Sequence, residues 1–128
     1  MPDQLILVIE DNPLNLKLVR DLLQVVGYHT LEATSAHAGL VAAAAHRPRL
    51  VLLDIQLPDA DGLAVLASLR GQTRTADVPV LALTASAMPE DRQRILDAGF
   101  DGYLAKPIDI WELLDQVRQH CGAPCSTA

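Results

Sequence analysis

Five short strand-like segments recur along this chain, and a helical pattern follows every one. The segments are Leu5–Ile9, 28–32, 50–53, 80–83 and 102–104. The first and third read Leu-Ile-Leu-Val-Ile and Leu-Val-Leu-Leu, with no alternation of polar and apolar residues. Such runs belong to strands buried on both faces of a parallel sheet. The order βαβαβαβαβα admits few folds, because parallel neighbours need crossover helices and the crossovers are right-handed. The predicted fold is therefore α/β, a parallel sheet with helices on both faces, and 128 residues suit one domain.

The helices carry readable punctuation. Asn12-Pro13 offers an N-cap and a proline at the first helical position, and Gly27 stands where a left-handed C-cap is expected. Leu16, Val19, Leu22, Leu23 and Val26 then share one face. The second helix spans about 35–46, and its Ala42-Ala43-Ala44-Ala45 run suits a helix packed closely on a sheet. The third spans about 61–70. The fourth spans about 87–98, with Pro89 in its first turn and Gly99 just past its end. The fifth starts at Asp109, which forms a capping box with Glu112, and its apolar stripe is Ile110, Leu113, Leu114, Val117 and Cys121.

Composition excludes several functions. The formal charge of −6 and the scattering of ten basic residues argue against a nucleic-acid or anionic-membrane surface. No stretch approaches the roughly 20 apolar residues of a membrane span, and no signal peptide precedes the first strand. Cys121 and Cys125 read as reduced thiols of a cytoplasmic protein, and His29, His37, His46 and His120 lie on separate segments that assemble no metal site. The expected domain covers 1–121, with 122–128 a flexible tail.

Chemistry gathers where the strands end. The first run ends in Glu10-Asp11, the third in Asp54, the fourth in Thr84, and the fifth is followed by Lys106-Pro107. In α/β sheets ligands bind at the carboxyl ends of strands. Three carboxylates packed at one sheet edge repel and raise one another's pKa, so such a cluster usually holds a cation or does chemistry. An aspartate carboxylate can accept a phosphoryl group as an acyl phosphate. That transfer needs in-line positioning and cations on the phosphoryl oxygens. Mg2+ suits it, being hard, octahedral and content with one or two carboxylates plus substrate oxygens.

Five sequence words carry a resemblance. They are Val8-Ile9-Glu10-Asp11-Asn12, Leu53-Asp54-Ile55-Gln56-Leu57-Pro58-Asp59, Leu83-Thr84-Ala85, Asp97-Ala98-Gly99-Phe100-Asp101 and Lys106-Pro107. In this order they resemble the receiver domain of two-component response regulators, over residues 5 to about 120. The text from Asp54 to Pro58 looks most like single-domain cell-cycle regulators and the receivers of hybrid kinases. The resemblance implies a flavodoxin-like (βα)5 fold of sheet order 2-1-3-4-5. It also implies that Asp54 is the phosphoacceptor, and that the donor is a phosphohistidine of a sensor histidine kinase or histidine phosphotransfer protein. Further implied are a Mg2+ site (Mn2+ as substitute) with Asp11, Asp54 and the Gln56 backbone carbonyl as direct ligands and Glu10 acting mainly through water. Lys106 and Thr84 would contact phosphoryl oxygens, and the Lys106–Pro107 bond would be cis. Ala85 is small enough to leave the entry path open, and Gln56 and Ser86 would flank the pocket mouth.

Tyr103 matches the family's aromatic switch position, and it equally suits a tyrosine half-buried against the fourth helix. With Ile108 and Trp111 it outlines an expected partner surface for a downstream protein, Trp111 reading either as packing or as an anchor. A monomer or weak dimer is expected. Met1 close to the first strand and the short tail point to a stand-alone regulator with no DNA-binding or enzymatic output module. Three rivals are weaker. A pseudo-receiver would lack an acidic, threonine or lysine residue, and none is missing. A Mg2+-dependent phosphohydrolase would want a second acid where Gln56 stands, and a nucleotide or flavin binder a Gly-rich loop after the first strand.

Overall fold

The computed structural model describes residues 5–85 and 88–121. Strand and helix alternate as β1 (Leu5–Ile9), α1 (Pro13–Val25), β2 (His29–Ala33), α2 (Ala36–His46), β3 (Leu50–Asp54), α3 (Gly62–Arg70), β4 (Val80–Thr84), α4 (Pro89–Asp97), β5 (Gly102–Ala105) and α5 (Ile110–Cys121). The strands form one sheet in the order β2-β1-β3-β4-β5, and every neighbouring pair is parallel. This is the flavodoxin-like arrangement, with its switch point between β1 and β3.

Side chains alternate across each strand and so build two cores. Leu7, Ile9, Val51, Leu53, Val80 and Ala82 face α2, α3 and α4, where Ala43, Leu66 and Ile95 meet them. Ile6, Val8, Leu50, Leu52, Leu81, Leu83 and Leu104 face α1 and α5, against Val19, Leu23, Leu113 and Val117. Each fully buried Leu, Ile or Val stabilises the fold by about 1.5–3 kcal/mol relative to exposure.

Local chemistry fixes where the elements begin. Asn12 Oδ1 accepts from the N–H groups of Leu14 and Asn15 at 2.9 and 3.2 Å, which caps α1. Asp109 Oδ1 accepts from Glu112 N at 3.0 Å at the start of α5. The start of α2 is held both by its own cap, Ser35 Oγ accepting from Ala38 N, and from elsewhere in the chain: Asp59, in the loop after β3, accepts from Ala36 N and His37 N. Gly27 and Gly99 both have positive φ, 110° and 108°, and end their helices as expected.

Three expectations change. The second strand starts one residue late, at His29, because parallel pairing sets Leu5 opposite His29 and Ile9 opposite Ala33; Tyr28 is buried just ahead of it. In α2 the close approach to the sheet falls at Gly39 rather than along the alanine run. A Cβ there would lie 2.4 Å from Ile9 Cδ1, and within the run only Ala43 is fully buried. Ile110 is exposed, since it opens α5 beyond the end of β5, whereas Leu113, Val117 and Cys121 are buried. Cys121 is a free, buried thiol, as its place on the apolar stripe of α5 implies. The expected helix start at Ala87, Ser86 at the pocket mouth, Cys125 and the tail 122–128 lie outside the described residues. No helix among the described residues is long and apolar enough to cross a membrane.

Candidate phosphoacceptor and metal site

β1 and β3 are neighbours with Ile9 opposite Leu53, so the next residue of each strand, Glu10 and Asp54, arrives at the same point of the carboxyl edge. Both are buried, at 0% and 4% exposure. Asp11 follows at the surface, and Glu10, Asp11 and Asp54 each offer an oxygen within 4.8 Å of the others. Lys106, one residue past β5, reaches across the edge. Its Nζ stands 2.8 Å from Glu10 Oε1 and 2.9 Å from Asp54 Oδ2. The second oxygen of each carboxylate is held by backbone. Gln56 N donates to Asp54 Oδ1 at 2.9 Å, and Asn12 N donates to Glu10 Oε2 at 3.2 Å. The Lys106–Pro107 peptide is cis, and Lys106 N donates to Thr84 O at 2.7 Å.

Burial makes these charges interdependent. Removal from water pushes the Glu10 carboxyl up to about 7, helped by the adjoining Asp54 carboxylate and opposed by Lys106 and the Asn12 N–H. Burial also raises Asp54, but the neighbouring Glu10 carboxyl, the Gln56 N–H and Lys106 more than offset it, and Asp54 stays below the ordinary carboxylate range. Burial lowers Lys106, and its two carboxylates outweigh that and raise it. Asp54 is thus held anionic at the pocket floor, while Glu10 is the carboxyl pushed toward its neutral form.

Glu10 Oε1 is buried and makes no aligned hydrogen bond, since Lys106 Nζ approaches it at ion-pair distance but not in hydrogen-bond direction. Buried polar atoms are rarely left so. An oxygen-only set of three carboxylates with one orphaned acceptor is the donor set of a hard divalent cation, and the residues fit Mg2+.

Thr84 is buried at the end of β4. By strand alternation it continues the Val80–Ala82 side, facing α4, while Asp54 continues the Leu50–Leu52 side, facing α1 and α5. A cavity of about 230 Å3 lined by Gln56, Thr84, Ala85, Asp91, Arg94 and Ile95 opens between the pocket and α4. Tyr103 is half-buried on the Thr84 side, with the Arg92 guanidinium 5.3 Å from its ring centroid. The expected half-buried tyrosine against the fourth helix is what stands here. Ile108 is half-buried. Trp111 is 80% exposed, which removes the packing alternative. Sequence reasoning missed a further surface on α1, where Leu14, Leu18 and Val25 are exposed and line a groove of about 430 Å3 with Lys17, Asp21 and Leu22. The signal was available, as three large apolar residues off the buried stripe.

Known proteins give the same reading. The response regulator receiver domain matches residues 6–118. The chain is 38% identical over 117 residues to the polar-differentiation response regulator DivK of Brucella anthropi, covering 91% of this chain and 95% of that one. Its structure is similar to the receiver domain of the sensor histidine kinase PA1611 of Pseudomonas aeruginosa, with TM-score 0.85, 34% identity and coverage of 93% and 98%. That domain has a magnesium ion coordinated in its active-site cleft. It is also similar to the chemotaxis protein CheY4 of Vibrio cholerae, with TM-score 0.84, 26% identity and coverage of 91% and 97%. A full-length match at this identity, on a sheet that brings two acidic strand ends and a lysine together, settles the family: the chain belongs to the response regulator receiver domains of two-component signalling.

Proposed function

We propose that Asp54 accepts a phosphoryl group from a phosphohistidine of a sensor histidine kinase or histidine phosphotransfer protein, in the cytoplasm. The observation that carries this is the buried Asp54 carboxylate, kept anionic by Lys106 and the Gln56 N–H at the floor of an acidic pocket. An Asp54 oxygen attacks phosphorus, a P–O bond forms as the P–N bond breaks, and the imidazole leaves with the electron pair and takes a proton. Mg2+, with Mn2+ as its substitute, would be held by Asp11, Asp54, the Gln56 backbone carbonyl and, through water, Glu10, and would neutralise charge on the phosphoryl oxygens. Lys106, already between the carboxylates, shifts its ammonium toward those oxygens, and the Thr84 hydroxyl donates to one of them. Incubation with acetyl phosphate and Mg2+ should add one phosphoryl mass to the protein and none to Asp54→Asn. Unchanged labelling of the variant would sink the assignment.

A phosphoryl group adds roughly −1.5 to −2 charge. Drawing Thr84 toward it loosens the α4 side, where Tyr103 lies under Arg92, and so biases a surface of α4, β5 and α5 that includes Ile108 and Trp111. That surface suits the downstream partner. The phosphodonor suits α1, whose first residue, Pro13, follows Asp11 by two positions, so a protein seated on Leu14 and Leu18 lies beside the pocket. Leu18→Asp should slow transfer from a phosphodonor protein at least about tenfold while leaving the acetyl phosphate rate intact. Equal slowing of both rates would locate the effect in the pocket instead.

A further inference from the structure

At the amino-terminal ends of β3 and β4, opposite the Asp54 edge, Arg47, Arg49 and Arg74 line one cavity of about 310 Å3 together with Pro48, Thr73, Asp77 and Pro79. The basic residues that look scattered along the sequence are here brought together. Among the described residues these three guanidinium groups form no ion pair and no hydrogen bond. Elsewhere two arginines find acids, Arg20 with Asp21 and Glu32 and Arg70 with Asp101, and Arg92 lies over the Tyr103 ring. In a chain with 16 acidic against 10 basic residues, three uncompensated arginines around one cavity are unexpected by charge count alone. Asp77 is the single acid lining that cavity.

Arg47 adds an independent observation. It ends α2 with φ 50°, the left-handed position that glycine occupies at least cost. A side chain there is unfavourable by roughly 1 kcal/mol or more. A cation at a helix C-terminus offsets part of that, but the same account does not reach Arg49 or Arg74, which lie outside the helices.

We propose that this cavity binds a phosphate-bearing small molecule. Guanidinium forks bind planar or tetrahedral oxyanions in pairs of hydrogen bonds. One carboxylate has two oxygens and cannot occupy three forks, whereas a phosphoryl group has three and carries more charge. The cavity falls at the lower end of small-ligand sites, roughly 300–1,000 Å3, and exceeds a single phosphoryl group. It fits a diphosphate, free or carried on a nucleoside, with the Thr73 hydroxyl as a further donor. The site lies at the other edge of the sheet and does not depend on the phosphotransfer reading.

The test is titration of the 15N-labelled protein, free of Mg2+ and at low salt, with pyrophosphate, ADP and adenosine. Saturable amide shifts at residues 47, 49 and 73–78 with pyrophosphate and ADP, and none with adenosine, support the proposal. Equal affinity for the two assigns the diphosphate as what is read, and tighter ADP binding assigns a nucleotide. Each Arg→Gln change should weaken binding about threefold and the triple variant more than about tenfold. The triple variant's fold is checked by unchanged amide shifts at residues remote from the cavity. Absence of saturable shifts up to about 10 mM, wild-type affinity in the triple variant, or shifts confined to residues around Asp54 would overturn it. So would displacement of pyrophosphate by an equal concentration of a hexaglutamate peptide or a short single-stranded oligonucleotide, either of which would make this a macromolecular contact.

Discussion

At the carboxyl edge of the sheet one lysine stands between two buried carboxylates, whereas at the amino edge three arginines surround an open cavity with one aspartate. The same chain therefore stores negative charge where water is excluded and positive charge where it is not. The first arrangement couples its members: Glu10, Asp54 and Lys106 each shift the others. The second leaves each arginine a separate surface group. Removing one charge should thus be costly at the first edge and nearly free at the second, however similar the residues look in a composition count.

The largest expected difference comes from Lys106→Met. It leaves Glu10 and Asp54 buried without their cation and should lower stability by about 3 kcal/mol in Mg2+-free buffer at pH 8, read from the urea midpoint. Mg2+ should return part of the loss. If the midpoint does not move, the carboxyl edge is no more coupled than the amino edge and the contrast fails.

A smaller effect separates the edges by pH. Glu10 has a folded pKa of about 7 against an ordinary value of 4.5, so the folded state binds more protons between them. Its stabilising contribution is present near pH 4.5 and is lost as pH rises through 7. Asp54 is shifted the other way, and its contribution is lost only on acidification below the ordinary aspartate range. Without Mg2+, stability should fall from pH 5 to 8, and Glu10→Gln should flatten that slope. Free Mg2+ at about thirty times its Kd should add about 2 kcal/mol at pH 8, and Asp11→Ala should abolish the gain. A Glu10→Gln slope equal to that of the unaltered protein would assign the pH dependence elsewhere.

The smallest effects belong to the amino edge. Arg47→Gly relieves a left-handed side chain and should change stability by between about zero and 1 kcal/mol in the favourable direction. Arg49→Gln should stay within about 0.5 kcal/mol. A loss above about 1 kcal/mol in either would show that these arginines hold the fold together.

What the sequence revealed follows from which signals are local. Strand ends are legible because an apolar run stops at a charge, as at Ile9-Glu10 and Leu53-Asp54, and the βα alternation then dictates that those ends meet. The start of β2 was misread by one residue because Tyr28 is as apolar as a strand residue and only the pairing of Leu5 with His29 sets the register. Ile110 followed the helical period of α5 but lies beyond the sheet that would cover it. Leu14 and Leu18 lie off the buried stripe of α1, and helical periodicity marks only the face that the sheet covers. The arginine cavity joins residues 47, 49 and 74 from two loops, a grouping that no spacing in the sequence announces.

The alternation along the strands has a consequence for how a signal could travel. The sheet is a partition: the α2–α4 core and the α1–α5 core lie on opposite sides of it. A disturbance inside either core would have to cross a close-packed layer of Leu, Ile and Val to be felt in the other. At the carboxyl rim the partition ends. There Lys106, which belongs by parity to the α5 side, and Thr84, which belongs to the α4 side, are joined by a 2.7 Å bond from the Lys106 N–H to the Thr84 carbonyl. A single charge placed on Asp54 stands at the doorway between both rooms, so one covalent event can address helices on either face without passing through the wall.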